Sequence, residues 1–237
     1  MNDKKPNGSL SENQLSLLNA EMLEWAKSNG MDFAKLMAYY KCAMMEIETK
    51  FNVLNVEYSL RLDRNPISSI HTRLKKPKSI AQKLQRLDMP ITLEALEETL
   101  SDVAGVRVIC PFPQDVYDLA DALLKQDDII LVQKKDYIAN PKPNGYRSLH
   151  LIVKVPIYLA HEKRIMKVEI QLRTIAMDSW ATLEHQLRYK KDRTFTEEMA
   201  QELLRCAHLS SELDFRMDKL RNQVGIADSS LLGENAE

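Results

Sequence analysis

The chain has no apolar run long enough to span a bilayer, and its 237 residues include only three cysteines and six glycines. The first absence excludes a transmembrane helix, and with no apolar stretch behind a charged N-terminus a secretory leader is not indicated either. Cys42, Cys110 and Cys206 stand alone, without Cys-x-x-Cys or Cys/His spacing. That speaks against a zinc site or a disulfide framework and makes a reducing, cytoplasmic setting the expectation. The few glycines form neither Gly-x-x-x-x-Gly-Lys-Ser/Thr nor Gly-x-Gly-x-x-Gly, so P-loop and Rossmann nucleotide sites lack support. An excess of charge of one sign is missing too: 33 Lys and Arg against 34 Asp and Glu leave a formal net charge of −1. No global field draws such a chain onto nucleic acid or a membrane, so a phosphate-binding surface must come from local clustering.

Such clustering is present. Arg61, Arg64, Arg73, Lys75, Lys76, Lys78, Lys83 and Arg86 stand against Asp63 alone. The length suits one domain with helical additions. Residues 1–10 read as a polar tail. Residues 11–60 read as two helices, the first carrying Leu15, Leu18, Met22 and Trp25 and ending at Asn29-Gly30. The second opens at Asp32 and carries Phe33, Met37, Tyr40, Met44, Ile47, Phe51, Leu54 and Tyr58 in a heptad-like seam. Such a stripe is usually intramolecular core, yet this seam and that of the last helix are expected to pack with their counterparts in other subunits, the alternative being that they cover the sheet of their own chain. Strands are expected near residues 70, 105, 130, 151 and 168. The helices between them run over Pro77 to Arg86, Leu93 to Leu100 and Gln114 to Gln126, with Val116, Leu119, Leu123 and Leu124 inward. A helix from Ile175 to Tyr189 should turn Trp180, Leu183 and Leu187 inward. The last helix, Phe195 to Val224 within a 193–224 segment, carries Met199, Leu203, Cys206, Leu213, Met217 and Leu220, and 225–237 is an acidic tail. The pattern predicts an α+β domain built on a mixed β-sheet and flanked by long N- and C-terminal helices.

The chemistry concentrates around Lys142-Pro143-Asn144-Gly145-Tyr146-Arg147-Ser148-Leu149-His150, a basic turn running into an apolar strand. Alternation puts Tyr146, Ser148 and His150 on one face and Leu149, Leu151 and Val153 on the other. A ring that can stack, a hydroxyl, an imidazole and a lysine suit a nucleotide base beside its phosphates. An ordinary hairpin with solvated charges accounts for the same residues. Asp102 at the mouth of the strand ending at Cys110 reads either as a strand-start cap or as a metal ligand. Glu169 reads either as an exposed strand carboxylate or as the second of a pair that holds Mg²⁺ near a phosphate chain.

These residues carry a family resemblance. The stretch from Lys142 to His150, together with Ser101-Asp102-Val103-Ala104-Gly105-Val106-Arg107, Val168-Glu169-Ile170-Gln171-Leu172-Arg173-Thr174 and Ala176-Met177-Asp178-Ser179-Trp180-Ala181-Thr182-Leu183-Glu184-His185, resembles the synthetase domain of the RelA/SpoT family, over about 61–192. In length the chain is similar to the single-domain small alarmone synthetases. The resemblance implies a nucleotidyltransferase-like core, homotetrameric assembly, and transfer of pyrophosphate from ATP to the 3'-hydroxyl of GTP or GDP. It implies Asp102 and Glu169 as catalytic residues and Mg²⁺ ligands, with Glu169 also assisting deprotonation of the hydroxyl, and Arg73, Lys75 and Lys78 on the ATP phosphates. Arg107 and Lys135 fall at the adenine, although the family usually has arginine where Lys135 stands. Tyr146 falls on guanine and Lys142 and His150 on the acceptor's phosphates, with Gln171, Asp178 and Glu184 near the acceptor nucleoside. Asp102 and Arg107 would face opposite sides of a regular strand, so a bulge at Gly105 is expected. None of the five histidines is followed by aspartate, so the family's His-Asp hydrolase site is not expected. The competing class is a non-catalytic module binding RNA or nucleotide through the basic segments and Tyr146. Paired carboxylates disfavour RNA, since they repel phosphate unless a metal intervenes.

Overall fold

The computed structural model describes residues 12–62, 64–189 and 195–224, with side chains from Gly30 onward apart from Leu62, Tyr189 and Val224. The expected tails at 1–10 and 225–237, the boundary at 192/193 and the Leu15, Leu18, Met22 and Trp25 face lie outside what is described. The elements are α1 (Glu12–Leu62), β1 (Ser69–Leu74), α2 (Pro77–Arg86), α3 (Leu93–Thr99), β2 (Ala104–Cys110), α4 (Pro113–Leu124), β3 (Ile130–Asp136), β4 (Leu149–Tyr158), β5 (Lys163–Thr174), α5 (Ile175–Tyr189) and α6 (Glu197–Val224).

One five-stranded sheet carries the architecture, in the order β1-β2-β5-β4-β3. The β4–β5 hairpin pairs antiparallel, as do β1–β2 and β3–β4, while β2 and β5 pair in parallel. The fold is therefore α+β with a mixed sheet. Proline at the start of α2 and of α4 costs no helical hydrogen bond and presets the first turn. Thr92 caps α3 by accepting from Ala95 N at 3.1 Å.

Alternation divides the sheet cleanly. Val106, Val108, Leu149, Leu151, Val153, Val168, Ile170 and Leu172 are buried on one side, beneath α1 and α4. Arg73, Arg107, Glu169, Gln171 and His150 point to the other. The α1 seam closes the apolar side. Tyr40, Met44, Ile47, Phe51, Leu54 and Tyr58 are buried there, and burying Ile47 or Phe51 stabilises by roughly 1.5–3 kcal/mol each. On α4, Val116, Leu119 and Leu123 are fully buried and Leu124 partly so.

Four expectations are corrected. Helix α1 runs unbroken through Asn29-Gly30, because its packing on the sheet outweighs the roughly 1 kcal/mol that a helical glycine costs. On α5, Met177 and Trp180 are buried but Leu183 and Leu187 are exposed, since α6 covers the Trp180 side, where Nε1 donates to Leu203 O at 2.9 Å. The α1 seam, expected with the α6 stripe to pack against other subunits, is buried against the sheet of its own chain, whereas on α6 the inward face is Ala207, Asp214 and Arg221, so Met199, Cys206, Leu213, Met217 and Leu220 stay exposed and Leu203 half-buried. Strand β2 pairs in unbroken register on both sides, with no bulge at Gly105. The bulge is unnecessary because Asp102 precedes the strand and is not bound by its alternation.

Candidate active site

The polar face of the sheet holds two adjoining cavities. The first, about 530 Å³, is lined by His71, Arg73, Lys75, Asp102, Gly105, Arg107, Glu169 and Gln171 among others. The second, about 220 Å³, is lined by Lys83, Asp102, Lys135, Tyr137, Lys142, His150 and Glu169 among others. Asp102 and Glu169 belong to both, so the two carboxylates form the wall between two cationic chambers.

Register explains the first chamber. Arg73 pairs with Gly105 and His71 with Arg107 across β1–β2, so the two guanidiniums stand diagonally on one face. Between them Gly105 contributes no side chain. Lys75 and Lys83 both donate to Asp102 Oδ2 at 2.8 Å, one from the end of β1 and the other from α2. Burial pushes the Asp102 carboxyl up, but the two ammonium groups outweigh it and hold it below the ordinary carboxylate range. Asp102 Oδ1 is buried and has no hydrogen-bond partner. An orphaned carboxylate oxygen beside a second carboxylate suits a hard cation. Among the described residues no three His, Cys, Asp or Glu gather as a self-sufficient ion cage. Such a cation would therefore take its remaining ligands from phosphate oxygens and water.

Glu169 lies on β5 opposite Ile152, with His150 two pairs further along, opposite Gln171 and on the same face. Gln171 Nε2 donates to Glu169 Oε2 at 3.0 Å, and His150 Nδ1 stands 3.7 Å from Oε1. Burial raises the Glu169 carboxyl, yet His150 and Gln171 together bring it below the usual range. It is a carboxylate at neutral pH. Arg173 Nη2 donates to the Tyr146 hydroxyl at 2.6 Å, which frees the hydroxyl proton for His150 Nε2 at 2.8 Å. That assigns the imidazole proton to Nδ1, facing Glu169.

The acceptor turn is held from behind. Gly145 adopts φ +88°, and a Cβ there would fall 2.4 Å from Ala207 Cβ on α6. Arg147 turns to the far side and donates to Asp214 at 2.9 Å and Ser210 at 3.2 Å, both on α6. Tyr146 is left beside His150, Arg173 and Lys142, whose Nζ lies 4.9 Å from its ring centroid and 4.6 Å from that of Tyr137.

The expected site residues are thus brought together with two exceptions. Lys78 is exposed and lines neither cavity, whereas Lys83 reaches Asp102 from the same helix. Lys135 sits on β3, separated from Arg107 by β5 and β4, roughly 14 Å across the sheet at about 4.8 Å per strand. It lines the second chamber, and no clamp with Arg107 forms. Asp178 bonds Arg107 at 3.2 Å and Arg173 at 3.0 Å. Glu184 meets the turn, accepting from Asn144 Nδ2 at 3.4 Å, and Gln171 lines the first chamber. Sequence reasoning missed Lys83, Tyr137 and Arg173 as site residues. Lys83 was visible within the basic cluster, while Arg173 stands in a quoted motif and Tyr137 precedes the turn.

Comparison with known proteins agrees with this geometry. Residues 72–194 match the model for the region found in RelA/SpoT proteins. The chain is 40% identical over 193 residues to the GTP pyrophosphokinase YwaC of Bacillus subtilis, covering 81% of this chain and 92% of that protein. It superposes on the Bacillus subtilis small alarmone synthetase 1 bound to its product pppGpp with TM-score 0.74 and 34% identity, covering 81% and 98% of the two chains. Small alarmone synthetase 2 from the same organism gives TM-score 0.74 at 38% identity, covering 81% and 99%.

Proposed function

The chain belongs to the RelA/SpoT family, and from that premise we propose that it is a GTP pyrophosphokinase. It transfers the β,γ-pyrophosphate of ATP to the 3'-hydroxyl of GTP or GDP and releases AMP, making the (p)ppGpp alarmone of the stringent response. The observation that carries this reading is the carboxylate wall, Asp102 and Glu169, standing between two cation-lined chambers. Two nucleotides can meet across it.

ATP would occupy the first chamber. Arg73 stands diagonal to Arg107 and would flank adenine with it, a change from the phosphate role expected for Arg73, while Lys75 and Lys83 take the phosphates. The acceptor would lie on the second side, with guanine on Tyr146, Lys142 and His150 toward its phosphates, and Glu184 near the nucleoside. Asp102 and Glu169 would hold Mg²⁺, which neutralises charge on the phosphate chain when bound. Glu169, ionised and steadied by Gln171 and His150, would accept the 3'-hydroxyl proton. The 3'-oxygen then forms a bond to the ATP β-phosphorus as the bridge to the α-phosphorus breaks. Catalysis of this kind is mostly positioning and charge. Incubation with ATP, Mg²⁺ and GTP or GDP, with nucleotides resolved by chromatography, should yield AMP and a 3'-pyrophosphorylated guanosine in equal amounts. No such product with either acceptor would sink the reading.

A homo-oligomer, by family resemblance a homotetramer, is proposed on a separate observation. On α6, Leu209, Leu213, Met217 and Leu220 are exposed along one side in the single chain, Leu209 by 69%. That strip is suited to a second copy. No helix among the described residues is long and apolar enough to cross a membrane, and a cytoplasmic location is proposed from the reduced cysteines and the family.

A further inference from the structure

Three rings close one end of the second chamber. Tyr137, Tyr146 and His150 meet edge to face, with centroids 6.1 Å apart for the two tyrosines, 5.3 Å for Tyr137 and His150 and 5.8 Å for Tyr146 and His150. The Lys142 ammonium lies 4.6 Å from the Tyr137 centroid and 4.9 Å from that of Tyr146. The carboxylates of the chamber are engaged elsewhere, Asp102 by Lys75 and Lys83, Glu169 by Gln171 and His150. The rings are what holds Lys142.

Tyr137 is itself well fixed. Its backbone N–H donates to Ser148 O at 3.0 Å. Asp136, the last residue of β3, accepts from Ile138 N at 2.9 Å, from Ala139 N at 3.0 Å and from the Tyr117 hydroxyl of α4 at 3.2 Å. The ring therefore stands on a short capped loop anchored to α4. A lysine side chain has much rotamer freedom, and a loose ammonium here would be drawn onto Asp102 or Glu169, which line the same chamber. An aromatic face attracts an ammonium without neutralising it. The tyrosines thus keep the charge off the carboxylate wall and available to phosphate. A guanine on Tyr146 would take over that ring's face, and Tyr137 would then be the ring that keeps the ammonium in place.

Resting on the pyrophosphokinase reading above, we infer that Tyr137 is a positioning residue for the acceptor's 5'-phosphates and that it acts through Lys142. Its contribution to acceptor affinity exists only while residue 142 carries a charge.

The test is a double-mutant cycle read by calorimetric titration with GTP and Mg²⁺. Tyr137→Leu is expected to weaken GTP binding about fivefold in the wild-type background, within the range of one cation–π contact. In a Lys142→Met background the same change should cost less than about twofold, because the charge that the ring serves is gone. Tyr137→Phe keeps the ring face and should stay within about twofold of the wild type. A ring that supported the fold, or stacked on the base directly, would cost the same factor with or without the Lys142 charge, and such additivity overturns the role assigned to Tyr137. A Phe variant as weak as the Leu variant overturns it too, by moving the effect to the hydroxyl. A further measurement needs no change at Tyr137. The ε-methylene protons of Lys142, assigned by the signal lost in Lys142→Met, should resonate upfield of ordinary lysines because two ring faces shield them, and an ordinary shift sinks the role. Each of these reversals leaves the pyrophosphokinase reading standing. Failure of the wild-type protein to bind GTP at all counts against that underlying reading and takes the role of Tyr137 with it.

Discussion

At the scale of the residue, the decisive feature is how each carboxylate is kept charged. Glu169→Gln removes the proton acceptor and a metal ligand while preserving shape, so turnover measured under saturating substrates should fall roughly 10²-fold or more. Wild-type turnover would remove Glu169 from the chemistry. The lysines of α2 make a sharper pair, because Lys83 touches Asp102 and Lys78 does not. Lys83→Met should lose at least about tenfold in kcat/KM for ATP, whereas Lys78→Met should stay within about twofold, and reversal of that order would restore Lys78 to the phosphate site. Asp102 also sets a pH dependence of stability. Its folded carboxyl lies below the unfolded value of about 3.9, so its ion pairs contribute fully above that value and are lost as pH falls through the lower folded one. Melting curves should therefore show a steeper loss below about pH 4 in the wild type than in Asp102→Asn. Asp115 and Asp214, which burial pushes the other way, are common to both proteins and cancel in the comparison.

Elements show why some of this was legible and some was not. The strands announce themselves by β-branched runs, and Pro77, Pro113 and Thr92 mark helix starts by local chemistry that the fold leaves intact. Placing Glu169 and His150 on one face needed only alternation. What escaped depends on neighbours. Lys83 reaches Asp102 only because α2 packs beside the mouth of β2, and Lys135 leaves Arg107 only because β5 and β4 come between them. The inward face of α6 is hard to read because it is partly ionic: Asp214 takes Arg147 and Thr174, and Arg221 approaches Asp115, which Arg64 grips at 2.6 Å. The turn at Gly145 gives the test at this scale. Gly145→Ala meets both an unfavourable φ and the Ala207 Cβ, so GTP binding should weaken about tenfold or more with secondary structure by circular dichroism preserved. Unchanged affinity would mean that the turn does not set the position of Tyr146.

For the whole molecule, the sheet divides labour between its faces, with α1 and α4 sealing one so that the other is free for charge. The apolar strip on α6 is spare in a single chain, and light scattering at micromolar concentration should give a mass several times the 27.3 kDa of the chain. A monomer across a dilution series would refute assembly. The match to the family model ends at residue 194, before α6 begins. Yet α6 supplies Ala207 behind Gly145, Asp214 and Ser210 for Arg147, and the Leu203 carbonyl for Trp180. The segment that the family model marks is thus smaller than the unit of folding. A graft or excision cut at the family boundary would carry every nucleotide-facing side chain and leave behind the buttress that shapes the loop presenting the guanine platform.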